Sequence, residues 1–328
     1  MIRISRRAFL TATAVLASGF GRSQAYASNP TFLVVGDWGT ASDAQRKIAA
    51  QMARTAGAIG SRFVISTGDN FYPRGVKSVD DAKWDTHFEE IYDAPALMIP
   101  WYATLGNHDH KGNVGAQVDY TLHSSRWRLP ARYYKHVELL ADGSKAVFFH
   151  LDTTPIEKKC EEEQLVWLER ELEASRAAWR IVVGHHPVHS GGEHGDSYEL
   201  IVILKPLLER FGVQAYLNGH DHHLEHVRVG KVHYLTSGAG AKPRAAKAHE
   251  GTRFIAGDRL GFLYARLSPT ALSIEFIDEA GTALYRASIP AHNAAPDRTG
   301  VRRSTEVKNR ARLPRAKQTN ACDGSAAG

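Results

Sequence analysis

An α/β fold is predicted for this chain, and three observations carry the prediction. Short apolar runs rich in branched and aromatic residues recur along it. Stretches with helical periodicity separate several of them. The most polar, chemistry-bearing motifs each follow directly on an apolar run, which is where α/β sheets gather their ligands, in loops beyond the carboxyl ends of strands. The expected strands are, in order, Phe32–Val35, Phe63–Ser66, Trp101–Leu105, Val147–Leu151, Ile181–Val183, Ala215–Leu217, Val232–Thr236, Phe262–Leu267 and Leu272–Ile277. The expected helices are three. Ala44–Ala56 carries Ile48 and Met52 four apart. Gln164–Ala177 puts Leu165, Leu168 and Leu172 on one face, with Glu161, Glu162 and Glu163 at its N-terminal end, where the helix dipole favours anions. Leu200–Phe211 is the third. The last strands lie close together in sequence, as hairpins at a sheet edge would.

The chain has 328 residues, 43% hydrophobic and 23% charged, enough for one large or two medium globular domains. Its formal charge of +6 invites a nucleic-acid reading, but the charge is at the ends. Residues 1–27 hold four arginines and no acid. Residues 292–328 hold eight Lys/Arg against three acids. The body between them is mildly acidic, 29 basic residues against 32 acidic, which is no nucleic-acid surface.

The N-terminus reads as an export signal. Ser5-Arg6-Arg7-Ala8-Phe9-Leu10 resembles a twin-arginine motif, an apolar stretch runs from Leu10 to Phe20, and Ala25-Tyr26-Ala27 fits a cleavage site. The apolar stretch is shorter than the ~20 residues a spanning helix needs. A mature protein beginning near Ser28 is expected, without an integral membrane segment, delivered by the twin-arginine machinery of a bacterium to the periplasm or beyond. The three expected parts are a signal over 1–27, a catalytic domain over 28–291 and a basic, disordered tail over 292–328. Cys160 and Cys322 are the only cysteines and form no CxxC pair; they either bond to each other or stay free thiols.

Five motifs follow strands: Asp37-Trp38-Gly39, Gly68-Asp69-Asn70-Phe71-Tyr72, Gly106-Asn107-His108-Asp109, Val182-Val183-Gly184-His185 and Gly219-His220-Asp221-His222. Singly, each has a plain structural explanation. An Asp-x-Gly is usually a turn, Tyr72 could be a core aromatic, and His194 could be a mobile surface histidine. Together they offer carboxylate, phenol, amide and imidazole donors. Hard oxygen donors suit a trivalent cation, and imidazole and amide suit a divalent one. Two cations about 3.5–4 Å apart can clamp a phosphate and deliver a hydroxide in line. Neither a Walker-type glycine loop nor a Ser or Cys nucleophile motif is present.

These motifs resemble those of the purple acid phosphatases within the metallophosphoesterase superfamily, in the small type similar to mammalian tartrate-resistant acid phosphatase. The likeness runs from about Phe32 to Ile277 and includes Gly106-Asn107-His108-Asp109-His110, Gln164-Leu165-Val166-Trp167-Leu168 and Ser237-Gly238-Ala239-Gly240. It implies a four-layer α/β/β/α sandwich with mixed sheets. It also implies an acid phosphatase acting on small phosphorylated substrates at a binuclear Fe(III)–M(II) centre, with a metal-bound hydroxide as nucleophile. Ferric iron would take Asp37, Asp69, Tyr72 and His222. The divalent metal (iron, zinc or manganese) would take Asp69 as a bridge, with Asn107, His185 and His220. Other superfamily members usually carry Asp-x-His in the first motif; Gly39 stands there instead, and Tyr72 supplies the missing ligand. His108 and His194 would hold the substrate and protonate its leaving group. The resemblance gives His186 and His189 no role. The competing readings are a phosphodiesterase or nucleotide hydrolase with two divalent metals, an iron-binding redox protein, and a metal-free anion-binding module.

Overall fold

The structure, a computed structural model, describes residues 28–158 and 162–291. The export signal, both cysteines and the basic tail lie outside the described residues. Two seven-stranded mixed sheets pack face to face. In chain order the strands are β1 (Thr31–Val35), β2 (Phe63–Ser66), β3 (Trp101–Ala103), β4 (Trp127–Arg128), β5 (Tyr134–Leu139), β6 (Lys145–His150) and β7 (Trp179–Val183). The remaining strands are β8 (Ala215–Asn218), β9 (Leu224–Val229), β10 (Val232–Ser237), β11 (Thr252–Ala256), β12 (Gly261–Leu267), β13 (Ala271–Asp278) and β14 (Ala283–Pro290). The first sheet runs β14-β13-β12-β1-β2-β3-β4 and the second β11-β9-β10-β8-β7-β6-β5. β1 to β4 are parallel, as are β6, β7, β8 and β10; the antiparallel pairs lie toward the edges.

Side-chain alternation along the strands divides the apolar residues into three cores. Phe32, Val34, Phe63 and Ile65 point between the sheets and meet Phe148, Ile181, Val183 and Leu217. Leu33, Val35, Val64 and Trp101 point the other way, onto Ile48 and Met52 of helix α1 (Asp43–Ile59). On the far side of the second sheet, Phe149, Val182 and Tyr216 are covered by three helices. These are α4 (Glu162–Ala174), α5 (Tyr198–Ile203) and α6 (Lys205–Arg210); the short α2 (Val114–Asp119) and α3 (Thr153–Glu157) sit in connections. The result is the expected four layers, α/β/β/α. Because both sheets are covered on both faces, their central strands are apolar throughout rather than alternating.

Several expected boundaries shift for identifiable reasons. α1 begins where Ser42 accepts a hydrogen bond from the Gln45 backbone N–H and ends at Gly60 with φ 65°. The expected helix Leu200–Phe211 is two short ones, α5 and α6, which break at Leu204 with Pro206 in the first turn of α6. The strand expected over Trp101–Leu105 closes at Ala103.

Candidate metal centre

Each motif begins within four residues of a strand's C-terminal end. β1 leads to Asp37, β2 to Asp69 and Tyr72, β3 to Asn107, β7 to His185, and β8 to His220 and His222. The first three strands belong to one sheet and the last two to the other, so the site lies on the edge where both sheets end. Hydrogen bonds stitch that edge: the His220 backbone N–H donates to Asp37 Oδ2 (2.9 Å), and the His185 Nδ1–H donates to the Thr67 carbonyl (2.9 Å).

All seven sequence-expected ligands converge. Tyr72 Oη lies 2.8 Å from Asp69 Oδ2, 3.1 Å from Asp37 Oδ1 and 3.2 Å from His222 Nε2. On the other side of Asp69, Asn107 Oδ1 lies 3.1 Å from both His185 Nε2 and His220 Nδ1, and these two nitrogens are 3.2 Å apart. His185 Nε2 is 3.5 Å from Asp69 Oδ1. Asp69 therefore faces both groups with a different oxygen toward each. The ligating atoms of Asp37, Asp69 and His185 fall within 4.8 Å of one another, as do those of His185, His186 and His220.

Backbone conformation helps to aim these side chains. Asp37 (φ 58°), Asp69 (φ 52°) and His220 (φ 70°) are left-handed, and so is the nearby Ala41 (φ 56°). Each such residue costs on the order of 1 kcal/mol, and their gathering at one edge marks a site that the surrounding fold holds in place. The glycines give the same indication. A Cβ on Gly106 would land on Asp69 Oδ1, and one on Gly39 would overlap the backbone carbonyl of Asn70. The close approach at Gly39 leaves no room for any side chain, so no histidine ligand can stand there; the Tyr72 backbone N–H instead donates to the Gly39 carbonyl at 2.7 Å.

The electrostatics call for cations. Burial, and then the charge of Asp69, push the Asp37 carboxyl well above the usual carboxylate range. Burial works against ionisation of Asp69 as well, yet the charges of His185 and His108 and the hydrogen bonds from the His108 backbone N–H and Tyr72 hold it low. Burial and the same two carboxylates push the Tyr72 phenol up. Two acids and a phenol buried together resist ionising side by side, and a multivalent cation among them would reverse that. The imidazoles are ready to bind one. Burial pushes His220 down to about 3 and His222 to about 4, with His185 and Arg244 respectively adding to the effect. The Thr67 carbonyl takes the Nδ1–H of His185 and so leaves its Nε2 lone pair facing the site. The donor set fits two metal ions.

The two expected substrate histidines flank this centre. His108 packs its ring 4.5 Å from that of Tyr72, and its Nδ1–H donates to the Pro73 carbonyl (2.7 Å). His194 lies against His220, ring centroids 4.2 Å apart, and its Nδ1–H donates to Asp221 Oδ1 (2.7 Å). In both, Nε2 is left unengaged by these bonds. The cleft they line holds about 380 Å³, with Thr40, Lys242 and Arg244 on its rim. His186 is buried, with Nδ1 bonded to Thr153 Oγ1 (2.8 Å) and its ring 4.4 Å from His220, which it backs. His189 pairs with Asp196 (2.9 Å).

Sequence reasoning passed over four residues that shape the site. Asp221, between two ligands, is buried and accepts from Ser190 Oγ and from both the backbone and the ring of His194. Asp109 is fully buried and receives the backbone N–H groups of Asn70 and Gly106 and the Gln117 amide; burial and the Asp69 charge push it up to about 7. Both carried a signal, since each is an acid inside a ligand motif. Lys242 and Arg244 carried none, because they lie in an unpatterned segment after β10.

The calcineurin-like phosphoesterase family model matches residues 30–224. Human tartrate-resistant acid phosphatase type 5 is 36% identical over 79% of this chain and 90% of its own length. Purple acid phosphatase 4 of Arabidopsis thaliana is 36% identical over 80% of this chain and 85% of its own. Among solved structures, GAP50, described as the anchor in the inner membrane complex of Plasmodium, superposes with a TM-score of 0.75 at 24% identity, covering 81% of this chain and 90% of that one. The chain thus belongs to the calcineurin-like phosphoesterases and, within them, to the tartrate-resistant and purple acid phosphatases, which are phosphoric monoester hydrolases. The likeness to GAP50 is one of fold, and fold alone does not decide chemistry; the donor set does.

Proposed function

We propose that this cleft hydrolyses phosphate monoesters at a centre of ferric iron and a divalent cation, either iron, zinc or manganese. Asp37, Asp69, Tyr72 and His222 would hold the ferric ion; Asp69, Asn107, His185 and His220 would hold the divalent one. The observation that carries this is the placement of Tyr72 Oη among Asp37, Asp69 and His222, at a point where Gly39 admits no histidine. Three hard oxygens and one imidazole favour a trivalent ion, whereas two imidazoles, an amide and a shared carboxylate favour a divalent one. Bound there, the pair would supply Lewis acidity toward the phosphoryl oxygens and lower the pKa of a coordinated water.

The chain's own residues do the rest. His108, held by Pro73 and by its backbone bond to Asp69 Oδ1 (2.8 Å), presents Nε2 to a phosphoryl oxygen. His194 is fixed by the bond from its Nδ1–H to Asp221, which leaves Nε2 to pass a proton to the departing alkoxide. Residues 28–291 are taken as the catalytic unit. The twin-arginine signal would place it in the periplasm or outside the cell; among the described residues no helix is long and apolar enough to cross a membrane.

The test is the visible absorption of the metal-loaded protein beside its Tyr72→Phe variant. A broad charge-transfer band in the parent that is lost in the variant is the expected result. A colourless parent that still holds two metal ions and cleaves diesters would overturn the ferric assignment in favour of a divalent-metal phosphodiesterase.

A further inference from the structure

The cleft is larger than a phosphoryl group requires. Its volume of about 380 Å³ is that of sites that take a small organic ligand, roughly 300–1,000 Å³. The donor side is committed to the metal ions and to the two histidines. Part of the cleft wall comes from the segment between β10 and β11 and carries two cations, Lys242 and Arg244. This rim is not a loose flap: the Arg244 backbone N–H donates to the His222 carbonyl at 2.7 Å, which ties the segment to a ligand-bearing turn.

The two cations differ in how they are compensated. Arg244 pairs through Nη1 with Glu193, the residue before His194, while its buried Nε finds no acceptor among the described residues. Lys242 is exposed at the mouth, and among the described residues no carboxylate pairs with it. The cleft wall therefore presents one uncompensated ammonium and one guanidinium partly neutralised by Glu193, both lining the same space as His108 and His194.

Building on the phosphomonoesterase reading above, we propose that Lys242 and Arg244 form a second anion subsite and that this cleft selects phosphate esters whose leaving group carries a carboxylate or a further phosphate. Lys242 supplies the charge, since Glu193 already neutralises much of Arg244. Glu193 limits the subsite by competing with the substrate's anion for Arg244. Loss of Lys242 and loss of the Glu193 charge must then act in opposite directions, which a merely structural role for this rim does not produce.

Two non-hydrolysable probes isolate binding from turnover. Phosphonoacetate carries a carboxylate next to its phosphonate, and methylphosphonate does not. Calorimetric titration of the metal-loaded protein should give phosphonoacetate a Kd about tenfold lower, as one charge-assisted contact at a solvated rim provides. Lys242→Ala should bring the ratio near one, Lys242→Arg should restore it, and Glu193→Gln should increase it; Lys231→Ala, on a remote turn, serves as control. The kinetic counterpart is kcat/KM for 2-phosphoglycerate against glycerol 2-phosphate, with 2,3-bisphosphoglycerate separating a second phosphate from a carboxylate. A ratio near one in the parent, or one indifferent to Lys242→Ala, overturns the subsite. Hydrolysis of none of these esters overturns instead the phosphatase reading on which it rests.

Discussion

Two histidines outside the set of metal ligands should make this fold sensitive to acid, by an amount the structure allows to be worked out. His136 on β5 and His150 on β6 meet across the strand pair, Nδ1 to Nε2 at 2.9 Å. His136 stacks on Tyr102 at 3.7 Å between ring centroids, and His150 stacks on Tyr134 at 4.4 Å. Burial pushes His150 down to about 3, and burial with the neighbouring His150 holds His136 well below the ordinary value. Both are therefore neutral in the folded protein at pH 5. In the unfolded chain each titrates near 6.5, so the unfolded state binds more protons and stability falls as pH drops from about 6.5 toward 3. At pH 5 the loss is about 2 kcal/mol for His150, and His136 adds to it in the same direction. Replacing both by phenylalanine keeps the ring stacking and removes two nitrogens, His136 Nε2 and His150 Nδ1, that have no hydrogen-bond partner among the described residues. Urea unfolding of the metal-loaded parent and of the His136→Phe/His150→Phe double variant at pH 7.5 and pH 5 measures the effect. The parent should lose at least about 2 kcal/mol more than the variant over that interval. An equal loss in both would refute the reasoning, because the metal centre's own pH dependence is common to the two proteins.

Two further outcomes follow from the centre. Gly106→Ala drives a methyl group into Asp69 Oδ1, so metal content after dialysis should fall with stability reduced by about 1–3 kcal/mol; undisturbed metal occupancy would refute the packing argument. His194→Gln should slow alkyl phosphates by about 10²–10⁴ in kcat, because a poor leaving group needs its proton, while p-nitrophenyl phosphate is slowed far less; equal losses on both substrates would remove the general-acid role.

The centre of the fold was legible because its strands are apolar on both faces. All nine expected strands exist, and every expected ligand arrives at one edge. The strands that escaped notice carry polar side chains into buried or edge positions. β9 reads Leu-Glu-His-Val-Arg-Val, yet Glu225 is fully buried because His223 and the Gly191 N–H satisfy it. β5 reverses the usual alternation: Val137 and Leu139 face solvent with Lys135, while Glu138 is buried beside Tyr134 at a sheet edge. The Gly191 N–H comes from 34 residues away in the chain, so nothing local announces it. Asp221 escaped for a related reason: a spacing of two between His220 and His222 directs attention to the imidazoles and leaves the residue between them as filler, when it is what holds His194.

The origin of the ligands has a consequence for how the protein comes into being. Asp37, Asp69 and Asn107 arrive on one sheet, and His185, His220 and His222 on the other, more than seventy residues later in the chain. Neither half can bind the pair of ions by itself, so occupancy reports that both sheets have closed on each other. A metal lost to a chelator would then loosen the seam between the sheets first, and a nascent chain would acquire its ions only as the last act of folding. The centre serves as a clasp on the sandwich as well as its chemistry.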